Sequence, residues 1–328
     1  MRILVIFLLL FQVVPPSANR GKDKEDAAAA TQTLAVVGHH GHAYVGQTGG
    51  MLIHDVSDPI RPKDVSWFPL PSAVSDIVID DNHAFLAAGT RGLVIVDIAN
   101  PAEPVELGRL DTDGKVKRVA RSGRHLFLAD GSGGLLVVDI EMLEDPRVVA
   151  RVSTGGDLRA VAVGGELLAV AEGHGGARVF DLRRPDNPRE VAKLETRFAA
   201  RDVCWIGDRL FVAAGSEGTA LYEPQVSTRP IEFLPPVRSA QHVACGARLI
   251  AVSNLGSAIQ LFDTSESRSP RERSRLRVHR SAPIGRAGFD GTHLWIAADV
   301  AGMGLLDVSN ADEPERLLPR AREFKVSY

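Results

Sequence analysis

Of 328 residues only two are cysteines, Cys204 and Cys245. A framework of disulfides is therefore excluded as what holds the chain together. Charge of either sign is not in excess: 38 Lys and Arg stand against 41 Asp and Glu, a formal −3. Bulk electrostatics give no reason to expect nucleic acid as a partner. Long apolar runs are also missing. The longest, Ile3–Val14, is a mostly apolar stretch of twelve residues, short of the roughly 20 that a membrane-spanning helix needs. No segment carries helical periodicity of useful length. The signatures of common chemistries are absent too: there is no P-loop, no GxSxG, no HExxH and no CxxC.

What is present is glycine, 31 residues, and proline, 19, as expected of a chain full of tight turns. The chain opens with one cation, Arg2, then the apolar run, then Pro15-Pro16-Ser17-Ala18. That is the layout of a secretory signal peptide over residues 1–18. Residues 19–32 read NRGKDKEDAAAATQ, a polar, charged, low-complexity linker. Residues 33–328 form the folded part.

Self-similarity dominates that part. Seven apolar stretches end in an acid: Asp55, Asp97, Asp139, Asp181, Glu223, Asp263 and Asp307, at spacings of 42, 42, 42, 42, 40 and 44. Seven residues after each acid stands a proline: Pro62, Pro104, Pro146, Pro188, Pro230, Pro270 and Pro314. The third unit resolves into four short strands, over 116–121, 125–129, 135–139 and 147–152, separated by Ser122-Gly123, the glycine turn 131–134 and the loop ending in Pro146. Four short strands in about 42 residues, seven times over, predict an all-β, seven-bladed β-propeller of four-stranded antiparallel blades. An apolar third strand such as Leu93–Val96 does not alternate with polar residues because blades cover it on both faces. The acid then accepts backbone N–H groups just ahead of it and holds the turn. Proline, which cannot donate to a ladder, marks the start of an outer edge strand.

The sequence resembles the LVIVD-repeat family, whose name is spelled out at Leu93–Asp97. The resemblance covers Thr33 to about Arg320 and implies a secreted or cell-surface propeller, with no catalytic residues to carry over. The fifth unit departs from the pattern, with Glu223 for Asp and EPQVSTRP as its loop.

Propellers bind at one end of their central channel. Registering the units on their acids places Leu34, Asp76, Arg118, Ala160, Asp202, His242 and Arg286 at the opening of the seven first strands, with Arg159 beside them. The turns between second and third strands bring Asp130, Glu172, Glu217, Asn254 and Asp299. Arg118 is expected near Asp130 and Arg286 near Asp299, where each pair would satisfy itself. The candidate ligand-binding mouth is therefore Asp76, Arg118, Arg159, Asp202, His242, Arg286, Asp130, Glu172 and Asp299, with His242 beside Asp202 a conceivable acid–base pair. A second candidate is a stripe on the sixth outer strand, Arg271, Arg273, Arg275 and Arg277. Their spacing of two puts them on one face, as an edge guard or as a docking stripe for an acidic partner. The three histidines of Gly38–His42 lack a second ligand cluster and are not read as a metal site. His83, His125 and His293 recur just before second strands, as turn residues. Cys204 and Cys245 fall in first strands of adjacent blades, which are usually too far apart to bridge, so two buried thiols are expected.

These features describe a secreted, periplasmic or cell-surface binding propeller, read as a monomer, that is non-catalytic and needs no cofactor or metal. Its partner is a protein, a surface polymer or a small molecule, not nucleic acid, and peripheral association with the cell surface is allowed for. The competing reading is a propeller enzyme of hydrolase or lactonase type working at the same mouth.

Overall fold

The computed structural model describes residues 5–7, 32–59, 61–197, 199–234, 239–254, 258–265, 269–277, 284–299 and 302–316. They form seven small antiparallel sheets. The first strands touch one another in sequence around a closed ring, the last meeting the first. This is the seven-bladed propeller predicted from the repeat, with no helix among the described residues.

Blade two shows how the sequence builds each unit. Asp76–Asp80, His83–Ala87, Leu93–Asp97 and Val105–Leu110 pair in that order. Asp97 accepts the Ala99 N–H at 2.8 Å, and Asp55, Asp139, Asp181, Asp263 and Asp307 each accept the N–H two residues ahead at 2.8–2.9 Å. Side-chain hydrogen bonds from Ser57, Arg183 and Ser265, joined by these backbone bonds, hold the Asp55, Asp181 and Asp263 carboxyls below their ordinary range. Six of the seven prolines stand immediately before outer strands, as Pro104 does before Val105 and Pro146 before Arg147, while Pro230 is separated from Glu232–Phe233 by Ile231.

Residues of the third strand divide by parity. Leu93 and Ile95 pack into the layer shared with blade three, and Val94 and Val96 into the layer shared with blade one. The whole core follows this rule. It consists of seven apolar clusters, one in each interface between neighbouring blades. Both faces of an inner strand are thus buried, and most of its residues are apolar, with His54, Thr219 and Gln260 among the buried polar exceptions.

In the third unit the first strand is Arg118–Ser122, two residues later than its sequence suggests. Val116 instead pairs across the blade boundary with Gly89. Gly131 pairs likewise with Leu158, Gly173 with Ala200 and Gly215 with Ala240. Asp299 takes the place of these glycines between the last blade and the first. It adopts φ 46° and its carbonyl accepts the Thr33 N–H at 3.1 Å. The side of Trp295 fills the space a side chain would need at Gly38, and so seals the same junction.

Three blades are irregular. In blade one the second and third strands are one stretch, His42–Asp55, which turns back at Gly49-Gly50. In blade five the outer strand shrinks to Glu232–Phe233, and the carbonyl of Glu223, not its carboxylate, accepts the Val226 and Ser227 N–H groups. In blade seven Met303–Asp307 pairs with Glu315–Arg316 and also with Val5–Phe7, which lies within the segment read as a leader.

Candidate functional site

Seven first strands open onto one mouth of the channel, and residues at their leading ends form two rings. The inner ring is the one expected from the register: Leu34, Asp76, Arg118, Ala160, Asp202, His242 and Arg286. The residues immediately before it, Ser75, Lys117, Arg159, Arg201, Gln241 and Gly285, form an outer ring. A cavity of about 270 Å³ lies between them, lined by Leu34, the outer ring and Arg118, Asp202, His242 and Arg286.

The inner ring is paired within itself, but not with the partners the sequence suggests. Arg118 and Ala129 are register neighbours, yet the guanidinium turns into the channel. There it reaches Asp202 at 3.1 Å and Asp76 at 3.4 Å, from blade three to blades five and two. Arg286 likewise reaches Asp76, at 3.3 Å, and His242 Nδ1 reaches Asp202 Oδ2 at 3.4 Å. Each carboxylate also accepts a backbone N–H from the first strand of the following blade: Val119 to Asp76 at 3.0 Å and Val243 to Asp202 at 3.3 Å. Asp76, Arg118 and Asp202 are all buried, at 6%, 9% and 1% exposure. Charges removed from water must find opposite charges, and the nearest lie across the channel. Burial pushes the Asp76 carboxyl up to about 6 against the pull of Arg118.

Asp130, Glu172 and Asp299, expected at the mouth, do not line this cavity. Asp130 is fully buried in its own turn, accepting the Thr112 hydroxyl at 2.7 Å and the Gly114 N–H at 3.1 Å. Glu172 is fully buried against Arg178 at 3.1 Å. Burial raises both carboxyls. Asp299 serves the ring closure through its backbone.

The outer ring differs in kind. Lys117, Arg159 and Arg201 occupy equivalent positions in blades three, four and five, 42 residues apart. Each is pinned by its backbone N–H to the second strand, on the carbonyls of Ala129, Ala171 and Ala213 at 2.7–2.9 Å. Their side chains lie across the turn glycines Gly131, Gly173 and Gly215. Those glycines have φ of 56–59°, and the Arg159 Nε stands only 2.9 Å from where a Cβ on Gly173 would be. Asp157 alone answers two of these cations, Lys117 at 2.5 Å and Arg159 at 3.6 Å. Among the described residues no carboxylate pairs with Arg201, and the buried Nε atoms of Arg159 and Arg201 have no hydrogen-bond partner. The five cations of the two rings face three carboxylates, Asp76, Asp157 and Asp202, a formal excess of two before His242 is counted.

Lys117 and Arg201 were legible in the 42-residue spacing but not singled out by it. Registering on the acids points at one position per blade, and these two sit one residue earlier.

The arginine stripe does not form one face. A β-bulge opposite Leu261 and Phe262 shifts the register within Arg271–Arg277. Arg273 is turned inward to Asp263 at 2.9 Å and Asp312 at 3.4 Å, while Arg275 pairs with Glu272 at 3.2 Å. The cysteines are also bonded rather than free. Cys204 and Cys245 form a disulfide with Cα atoms 5.7 Å apart, because first strands converge on the channel and come closer than neighbouring blades do farther out. The bridge lies two residues beyond Asp202 on one strand and three beyond His242 on the next. The histidines of Gly38–His42 are spent locally: His39 bonds the Asp81 carbonyl at 2.8 Å, and its ring stacks on His40. Among the described residues no three His, Cys, Asp or Glu side chains converge as a metal cluster would.

Among solved structures the chain is similar to the computationally designed Ika8 protein, at 11% identity and a TM-score of 0.64, over 85% of this chain and 97% of that one. It is similar also to a chain of the mitotic checkpoint complex, at 12% identity and a TM-score of 0.68, over 91% and 98%. At such identities the likeness is one of fold alone. No curated protein matches the chain. The LVIVD repeat matches residues 29–66, 72–112 and 113–154. These matched segments begin a seven-bladed ring in which Asp181, Asp263 and Asp307 keep the same acid-capped turn and Glu223 does not.

Proposed function

We propose that the protein is a secreted or cell-surface binding propeller, non-catalytic, that holds its ligand in the mouth ringed by Ser75, Lys117, Arg159, Arg201 and Gln241. The observation that carries this reading is the division of labour between the rings. The inner carboxylates Asp76 and Asp202 are committed to Arg118, Arg286 and backbone amides. In the outer ring Arg159 and Arg201, which line the cavity, each keep a buried Nε with no partner. A polar group left unsatisfied in a buried place is costly unless something else meets it. Export is supported by the leader-like segment at residues 1–18 and by the disulfide, which suits an oxidising compartment. Export with cleavage after Ala18 would remove Val5–Phe7 and leave Glu315–Arg316 as the remaining outer partner of Met303–Asp307.

A hydrolase-type enzyme is the competing reading, and one contact favours it: His242, 34% exposed, beside Asp202. Thermal-shift screening separates the two. The panel holds neutral sugars, nucleosides, amino acids, carboxylates, phosphates and divalent metals, tested on the parent chain and on Gln241→Trp, which plugs the mouth. The binding reading expects stabilisation by panel members that the plug abolishes. It fails if nothing in the panel stabilises the parent, or if stabilisation persists in the plugged variant. Turnover of ester or lactone substrates that His242→Ala abolishes would replace it with the enzyme.

A further inference from the structure

We infer that the ligand of this mouth is a small oxyanion, a carboxylate or phosphate group carried by a free small molecule. The inference rests on the binding reading above and adds the chemical class. Three cations at equivalent positions of consecutive blades, Lys117, Arg159 and Arg201, form an arc on one side of the mouth. Their stems are fixed, because the backbone of each is hydrogen-bonded to the second strand and the side chain lies on a turn glycine with no Cβ to displace it.

The donor count decides the sign of the ligand. Arg201 has no carboxylate partner among the described residues, Arg159 shares Asp157 with Lys117, and the Nε atoms of both arginines are buried without an acceptor. Among the described residues Asp202 is the only carboxylate on the cavity wall, and Arg118, His242 and two backbone amides already occupy its oxygens. The charged free valences of the site are therefore N–H donors. Planar guanidinium groups offer paired donors that match carboxylate and phosphate oxygens, and a low-dielectric cleft focuses the excess positive charge on whatever enters. Size decides between a free molecule and a polymer. About 270 Å³ falls just below the roughly 300–1,000 Å³ of drug-sized ligand sites. Arg118, tied to Asp202 and Asp76 across the channel, lies on the cavity wall and stands in the way of a threading chain.

Isothermal titration of the full chain with inorganic phosphate and with citrate, in a low-salt zwitterionic buffer, tests this. Binding of at least one probe is expected, weakened about tenfold or more by Arg159→Gln with Arg201→Gln, since charge-assisted bonds contribute about 1.5–3 kcal/mol each. Arg275→Gln, remote from the mouth, is expected to leave the affinity unchanged. Because both mouth arginines are part-exposed, the double variant is expected to keep the parent unfolding midpoint. Phosphate preferred over citrate would assign a phosphate ligand, and the reverse a carboxylate. The inference is overturned if the double variant binds both probes as the parent does. It is also overturned if neither probe binds while a neutral compound is held in a plug-sensitive manner; the mouth would then be a binding site for another class. If no compound of any class binds, the binding reading itself has failed.

Discussion

The two rings at the mouth lie one residue apart in sequence and behave oppositely. Asp76, Arg118 and Asp202 face inward, lose their water and must neutralise one another across the channel. Lys117, Arg159 and Arg201, one residue earlier, keep partial solvent contact; the first two share a single carboxylate, and among the described residues the third has none. Strand alternation explains the difference, since successive side chains point to opposite sides. Charge buried in the channel is structural; charge left at the rim is available to a ligand.

The sharpest way to break this contrast is to remove one inner carboxylate. Asp202→Ala removes the nearer of the two carboxylates of buried Arg118, leaving it Asp76, which it shares with Arg286, and is expected to cost about 3 kcal/mol, read from urea unfolding. Arg201→Gln, its immediate neighbour in sequence, is expected to stay within about 0.5 kcal/mol of the parent in the same assay. Equal costs would mean that the rings are not distinct.

Next in size is the disulfide, which ties the strands carrying Asp202 and His242. Its cysteines are 41 residues apart, and closing a loop of that length constrains the unfolded chain by about 3–4 kcal/mol. Unfolding of Cys204→Ser with Cys245→Ser, against the oxidised parent, measures it. The loss of stability should leave the outer ring's affinity for phosphate or citrate within about twofold, since mass action couples binding to stability only when unfolding is populated.

A pH series sharpens the contrast further. Asp76, raised to about 6 in the fold from an ordinary 3.8, is easier to bury protonated than ionised. Its contribution is fully present below pH 3.8 and is lost as pH rises through 6. Asp55, Asp181 and Asp263 shift downward, so their contributions are lost in the other direction, as pH falls below 3.8. The difference in unfolding midpoint between the parent and Asp76→Asn is therefore expected to change between pH 4 and 6 and to be flat above 7. A flat difference throughout would show that Asp76 titrates normally.

The smallest effect belongs to the rim. Asp157→Ala removes an exposed carboxylate, 48% accessible, and is expected to change stability by less than about 1 kcal/mol. It frees Lys117 and Arg159, so affinity for an oxyanion probe should rise several-fold. Unchanged or weakened affinity would mean that Asp157 holds the two cations in place.

Much of this was legible in the chain. The 42-residue period, the acid and the proline seven residues on predict blade number, strand order and turn, because each is a local device whose physics repeats with the sequence. The inner ring was legible for the same reason. Its partners were not. Arg118 pairs with Asp202, 84 positions away, and no local rule connects them. Nor does alternation predict a bulge, which is why Arg271–Arg277 reads as one face and folds as two.

The sequence by itself thus determined the blades, since a strand buried on both faces, an acid-capped turn and an edge proline are short-range requirements. Only the closed ring decided which charges meet. Bending seven sheets around one axis brings distant first strands close enough to join Cys204 to Cys245 and to bury Asp76 and Asp202 opposite Arg118. The same closure leaves Arg201 at the rim with its donors open.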